Sequence, residues 1–375
     1  MNTVETAWLS DEERLDWLQL IRSDNVGPSA FRTLLRRMGS AREALDALPA
    51  LANRGGADRR IKIASRDEAE AELKAANRLG VGLIGLNEPN YPPWLRQSDS
   101  APPLLGVLGS TEYLASPIVS IVGSRNASAA GRKMAAQLAH DLGQAGFVIA
   151  SGLARGIDTS AHQAALESGT IAVFAGGLDI VYPPENRELA GEIIEHRGAA
   201  VSEMPVGWEP RSRDFPRRNR IIAGLSLATI VVEAAERSGS LITARMALEQ
   251  NREVMAVPGS PLDPRAAGAN RLLKQGAALI TEAEDVIRIL QPIIGDVPIV
   301  LQEPPAASPE PVSLAEEPLD SERQKIVEAL GPSPVEVDEI VRLTGLPVKT
   351  VSISLLEMEL AGRLERHPGQ RVSLR

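Results

Sequence analysis

Ser151-Gly152-Leu153-Ala154-Arg155-Gly156-Ile157-Asp158 is the octet on which the fold turns. It follows the apolar run Phe147-Val148-Ile149-Ala150 and leads into residues 159–166, whose apolar positions keep helical spacing. Strand, small-residue turn and helix succeed one another. Glycines in such a turn let backbone N–H groups approach a ligand, and the positive end of the helix favours an anion there. Arg155 adds a fixed positive charge.

Outward from the octet, apolar runs alternate with helical patterns. Strands are expected over 118–122, 147–150, 171–175, 200–202, 229–232, 254–257 and 278–280, and helices over 129–145, 187–196, 241–250 and 283–290. Continuously apolar strands separated by helices predict a parallel sheet covered on both faces, a doubly wound, Rossmann-like α/β domain over 81–291. Loops leaving the carboxyl ends of such strands open on one edge, where ligands bind. Here they carry Gly123-Ser124-Arg125, Ser151 to Gly156, Gly176-Gly177, the segment 203–220, Ser238-Gly239-Ser240 and Pro258-Gly259-Ser260. Glycine, serine and arginine gathered on one edge predict a phosphate or polyanion site.

The chain has 375 residues, 43% hydrophobic and 24% charged, which suits a globular protein of two or three domains. No run approaches ~18 apolar residues, and Glu5, Asp11, Glu12 and Glu13 leave no basic-then-apolar leader pattern, so the expected location is the cytoplasm. Zero cysteines exclude disulfides, thiolate metal sites and a cysteine nucleophile, and four scattered histidines argue against a metal site. A net charge of −9 ordinarily argues against nucleic acid, but residues 211–220 hold five arginines against one aspartate. Aromatic residues make up 3%, too few for an extended stacking platform, although Phe215 inside the arginine cluster and Tyr182 after the Gly-Gly loop are each suited to stack on a base. The expected binding is mostly to phosphates, salt-sensitive and weakly sequence-specific.

The flanks differ from the centre. Residues 1–80 predict a helical domain with helices over 8–21, 29–38, 41–48 and 67–79; the turn Asn25-Val26-Gly27-Pro28 gives it a helix-hairpin-helix character. Residues 81–86 predict a short strand, and the prolines of 91–95 and 101–109 predict extended chain without regular helix. Residues 292–318, rich in proline, predict a flexible linker. Residues 319–375 follow the order of a winged helix, whose third helix offers Lys349 against Glu357 and Glu359 and so predicts packing or protein contact in preference to DNA reading.

No G-x-G-x-x-G follows the first strand of the 118–280 series, and neither G-x-x-x-x-G-K-[ST] nor G-x-S-x-G occurs, so no cofactor and no familiar hydrolytic site is expected. Asp158 and His162, four apart, read as a helix-start carboxylate and a packed histidine more readily than as an acid–base pair. Glu203, Glu233 and Glu236 lie near strand ends without convincing partners. The expectation is therefore a non-enzyme. In an alternative reading, a nucleotide-binding or nucleotide-cleaving enzyme, Glu203 or Glu233 acts on a ribose while Arg155 holds a 5′-phosphate.

The sequence resembles the DNA-processing protein A (DprA/Smf) family. The resemblance runs in order through Ile121-Val122-Gly123-Ser124-Arg125, Ser151 to Asp158 with Ala161-His162, Gly176-Gly177-Leu178-Asp179, Tyr182-Pro183 and Ser202-Glu203. It continues through Phe215 to Gly224, Ser238-Gly239-Ser240 with Thr243-Ala244, and Val257-Pro258-Gly259. It implies a recombination mediator that binds single-stranded DNA, loads RecA recombinase on it in natural transformation, and dimerises through its Rossmann-like domain. Together the motifs and the resemblance nominate Gly123, Ser124, Arg125, Ser151, Gly152, Arg155, Gly156, Phe215, Arg217, Arg218, Asn219, Arg220, Ser240 and Gly259 as nucleic-acid contacts. A lysine that some relatives carry after Tyr-Pro has no counterpart here, where Pro184 and Glu185 stand.

Overall fold

A computed structural model describes residues 8–57, 60–295, 318–367 and 369–375. In chain order its elements are α1 (Asp11–Arg22), α2 (Pro28–Met38), α3 (Ala41–Arg54), α4 (Arg66–Arg78), β1 (Gly82–Gly85), α5 (Pro93–Arg96), β2 (Leu104–Gly109), β3 (Ile118–Gly123), α6 (Ala129–Gln144), β4 (Val148–Ser151), α7 (Ile157–Ala164), β5 (Thr170–Val173), α8 (Arg187–Glu195) and β6 (Gly198–Ser202). There follow α9 (Asp214–Leu225), β7 (Ala228–Val232), α10 (Ser240–Glu249), β8 (Glu253–Ala256), α11 (Ala267–Lys274), β9 (Ala278–Leu279), α12 (Ala283–Ile294), α13 (Asp320–Glu328), β10 (Val335–Glu336), α14 (Val337–Thr344), α15 (Val348–Leu360), β11 (Leu364–His367) and β12 (Arg371–Leu374). They form two compact units: a central one from Glu72 onward, and a terminal one that joins Leu9–Ala71 to the C-terminal segment.

The central sheet has nine strands in the order β1-β2-β6-β5-β4-β3-β7-β8-β9. Strands β3 to β9 are all parallel, and β2 alone runs antiparallel to its neighbours. Strands β3 to β7 are apolar on both faces because helices cover both: Leu138 and Leu142 of α6 pack with Ile121, Ile149 and Ile230, while Leu189 and Ile193 of α8 join a second cluster with Phe174. Strand order reverses at β3, with β4 on one side and β7 on the other. In open α/β sheets ligands bind at such a switch point, here the carboxyl ends of β3, β4 and β7.

Four expectations are corrected here. The segment 101–109, read as extended chain beside the domain, enters the sheet as β2, its prolines preceding the strand. Pro93 opens the one-turn helix α5, because a proline in the first helical turn forfeits no intrahelical bond. Most consequential, the end of the 203–220 loop is helical: α9 starts at Asp214, so the arginine cluster is divided among helix faces. Helix α12 also runs through Pro292 to Ile294, since Val286 and Leu290 anchor it to the core. The remainder of the expected linker, apart from Gly295 and Pro318, lies outside the described residues.

In the terminal unit, α1 opens with a capping box in which Ser10 and Glu13 satisfy each other's backbone amides. Helices α13, α14 and α15 and the antiparallel sheet β10-β12-β11 make a winged helix around Ile340, Val351, Leu355 and Val372. Its third helix, α15, packs on α3 and α2 of the helical segment. Asn25, in the left-handed region at φ 60°, donates from Nδ2 to the Leu360 carbonyl at 3.0 Å, and Arg363 donates to the Gly55 carbonyl at 3.3 Å. Buried Glu357 takes a two-point ion pair from Arg323, at 2.8 and 3.1 Å. The helix that reads DNA in many winged helices is thus engaged with the chain's own N-terminal segment.

Gly55 marks how close the two segments come, since a Cβ there would land on the Glu357 carbonyl. Gly55→Ala is expected to cost the terminal unit about 1–3 kcal/mol by overpacking. Hydrogen exchange should show α15 losing protection while the central sheet keeps its own.

Candidate nucleic-acid interface

Loops after β3, β4, β5 and β6 and the first turn of α9 build one surface at the switch-point edge. Arg125, exposed in the β3 loop, sets its guanidinium 5.6 Å from the centre of the Phe215 ring. Phe215 in turn meets Tyr182, with ring centres 5.1 Å apart and planes tilted by 59°. Tyr182 precedes a cis proline, Pro183, and is 51% exposed, so the cluster is a ledge open to solvent. A cation beside two aromatic faces suits a nucleobase with its phosphate.

Around this ledge the arginines have different duties. Arg217 is exposed and pairs through Nε with Glu203 at 3.0 Å. Arg220 also pairs with Glu203 and donates to the Ser100 carbonyl at 2.6 Å, which ties α9 to the segment before β2. Burial lowers the Arg220 pKa, opposed by the Glu203 charge. Arg155 reaches across to Glu185, so the acidic residue after Tyr-Pro takes up one of the cations.

Several residues expected as contacts are spent inside the fold. Arg218 is 6% exposed; its guanidinium donates to the carbonyls of Gly152, at 2.7 Å, and Val173. Burial brings its pKa down to about 10 against the pull of the Asp158 charge. Ser151 is buried and donates to the Ile121 carbonyl at 2.6 Å; buried Ser240 shares a 2.6 Å hydroxyl contact with Ser238. The octet's glycines fit protein and leave no cradle: a Cβ on Gly152 would stand 2.7 Å from the Arg218 guanidinium, and one on Gly156, at φ 79°, would meet the Ser124 carbonyl. Gly123 lies just as close to the Val232 carbonyl. Asn219 donates to the Gly239 carbonyl at 3.4 Å, Ser124 Oγ accepts from the Asn126 amide, and both backbone groups of Gly259 bond to the Asn270 side chain.

The anion expected at the start of α7 is the chain's own. Asp158 Oδ2 accepts from the amides of Gly152, at 3.1 Å, and Ala154, at 3.3 Å, the groups a phosphate would have used. Burial raises the Asp158 pKa, and the nearby Arg218 charge and these amides oppose the rise. His162 is fully buried, with Nδ1 2.7 Å from the Thr170 hydroxyl, which itself donates to the Ile149 carbonyl. Neither residue is positioned for acid–base work. Glu233 accepts from the amide of Ser128, at 2.9 Å, and from its hydroxyl, at the start of α6, while Glu203 holds two arginines.

Burial depresses the His162 pKa to about 3. Between there and the ordinary value near 6.5 the unfolded chain binds a proton that the folded chain refuses, so stability falls as pH falls through that window. The slope is at most about 1.4 kcal/mol per pH unit. Asp158, raised on folding, acts in the opposite sense. The difference between the unchanged chain and His162→Gln in urea midpoints at pH 7, 5 and 4 should therefore isolate the histidine, with the unchanged chain losing more on acidification.

Among the described residues, no group of His, Asp or Glu side chains is arranged to hold a metal ion, and no helix is long and apolar enough to cross a membrane.

Comparison with known proteins agrees with this architecture. Residues 82–291 match the DNA recombination-mediator protein A family, residues 11–75 the DprA-like N-terminal HHH domain, and residues 304–370 the DprA winged helix domain. Protein Smf of Escherichia coli K12 is 41% identical over 295 residues, covering 78% of this chain and 77% of its own. The crystal structure of DNA processing protein A from Streptococcus pneumoniae superposes with a TM-score of 0.62 at 33% identity, covering 75% of this chain and 98% of that one. The structure of the Helicobacter pylori protein, described for its single-stranded DNA binding mode, gives 0.52 at 30% identity, covering 56% and 95%. With a helical N-terminal segment, a Rossmann-like centre and a winged helix each matched in order, the chain belongs to the DNA-processing protein A (DprA/Smf) family.

Proposed function

We propose that this chain binds single-stranded DNA on the Arg125–Phe215–Tyr182 ledge and passes it to RecA recombinase, as a cytoplasmic homodimer joined through its Rossmann-like units. The observation that carries this reading is the ledge itself: one exposed guanidinium over an aromatic ring, with a second ring beside it, at the switch-point edge. Such a surface takes the π face of any base and the phosphate next to it, which gives affinity without sequence preference. Duplex DNA hides its base faces in the stack and cannot use it equally. Arg217 and Arg155 flank the ledge as further cations, each tempered by a glutamate that a phosphate must displace. The chain acts here by binding, without catalysing a reaction. The relatives' DNA-processing names and the single-stranded DNA described for the Helicobacter pylori protein support the same ligand.

Fluorescence anisotropy with labelled oligonucleotides of increasing length, single- and double-stranded, at two salt concentrations, tests the reading. Affinity should rise with strand length, favour single strands and fall with log[salt] at a slope of about −0.7 per phosphate contact. Full competition by a mononucleotide, with no dependence on length, would instead make the ledge a small-nucleotide site. RecA filament assembly on the same strands, with and without this chain, tests the handover.

A further inference from the structure

Of the chain's eleven aromatic side chains, five are structural: Trp17, Phe31, Tyr91, Phe147 and Phe174 are buried. On the central unit, three that are not buried, Tyr182, Phe215 and Trp208, gather at the start of α9. The first two form the ledge. Trp208 lies in the loop between β6 and α9 and is held by deliberate chemistry. Its Nε1 donates to Asp214 Oδ2 at 3.0 Å, and the same oxygen accepts the Arg211 amide at 2.9 Å. Asp214 is 3% exposed and is the first residue of α9, where the helix dipole favours its charge. One buried carboxylate thus fixes both the indole and the turn that follows it.

That turn delivers Arg211 to the indole, with its guanidinium 4.8 Å from the ring centre. Arg211 is exposed, and among the described residues its guanidinium has no carboxylate partner. The arrangement repeats the one next to it. Arg125 over Phe215 and Arg211 over Trp208 are two arginine–aromatic pairs, anchored at adjacent residues, Phe215 and Asp214. A turn whose only task was to connect β6 to α9 would not need a half-exposed tryptophan, an exposed arginine and a buried acid to join them.

We propose that Trp208 and Arg211 form a second stacking station for the nucleic-acid strand, taking a base and its phosphate beyond those held at Phe215. The strand then runs across the N-terminal end of α9. This inference rests on the single-strand reading above and specifies its path. Asp214 is a positioning residue: it fixes the indole and leaves the strand to Trp208 and Arg211.

The test uses the full chain and thymidine oligonucleotides of increasing length, read by anisotropy and by intrinsic tryptophan fluorescence. Strands that reach the second station should quench the fluorescence of the unchanged protein. In Trp208→Phe, which keeps a stacking ring, binding should persist while the quench disappears. Trp208→Ala should weaken long strands about tenfold or more and leave strands of two or three nucleotides unchanged. Arg211→Lys keeps the charge but loses the planar stack, so it should weaken long strands with little change in salt slope. Thermal unfolding of each variant identifies any that fails to fold, and Trp208→Phe preserves the test if Trp208→Ala does. Equal affinity of Trp208→Ala and the unchanged chain at every length, with the quench intact in Trp208→Phe, overturns this proposal and leaves the ledge standing. Failure of the unchanged chain to bind any single strand overturns both.

Discussion

Arg218→Ala is expected to destabilise the central unit by about 3–5 kcal/mol, the range for removing one member of a buried charged set. Arg218 lies beneath the octet, donating to the Gly152 and Val173 carbonyls, while Asp158 accepts from the Gly152 amide on the other side of the same residue. Truncation therefore strands two carbonyls and leaves the Asp158 carboxylate without its nearby cation. Urea unfolding of the unchanged chain, Arg218→Ala and the Arg218→Ala/Asp158→Asn double variant measures the effect. The second substitution should recover part of the loss by removing the buried charge. An unchanged midpoint with a large loss of DNA affinity would instead make Arg218 a ligand contact and return it to the interface.

The second large effect concerns binding. Arg125→Ala and Phe215→Ala should each weaken single-strand affinity by about 1–3 kcal/mol, the range measured for one base–aromatic contact. The two should be non-additive, because each removes half of one guanidinium–ring pair. Arg125→Ala should also flatten the salt dependence by about one phosphate contact, whereas Phe215→Ala should leave it unchanged. Both losses should be the same for thymidine-rich and adenine-rich strands. A loss confined to one base composition would mean the ledge reads base edges, and the stacking mechanism would fall.

The sheet was legible because its strands are continuous apolar runs, as two-sided burial demands; all seven parallel strands lie where those runs do. The prolines before β2 masked a strand whose N–H groups begin only after them. Helix α9 escaped because its first turns carry arginines where a helical period of apolar residues would be sought, and its core residues Ile221, Ile222, Ala223 and Leu225 are bunched at the end. The helix also decides what each arginine does. On a helix, neighbouring residues point apart, so Arg217 reaches solvent while Arg218 enters the core. The octet misled in another way: composition announces an anion at a helix start, but only the folded chain reveals that the anion is Asp158. Trp208 was visible in the sequence, yet its partner, six residues on, is found only by tracing the turn.

The clasp between α3 and α15 has a mechanical consequence. Because the N-terminal helices and the winged helix share one body, the central residues form a long closed excursion of the chain between two touching anchors. A pull applied at Asp11 and Arg375 would load the α3–α15 contact, the Asn25–Leu360 bond and the Arg363–Gly55 bond first. The nine-stranded sheet would bear no tension until that clasp had parted. Force reaching the ends of this protein is thus met by the smaller of its two units, and the larger one, with its ledge, is shielded from it.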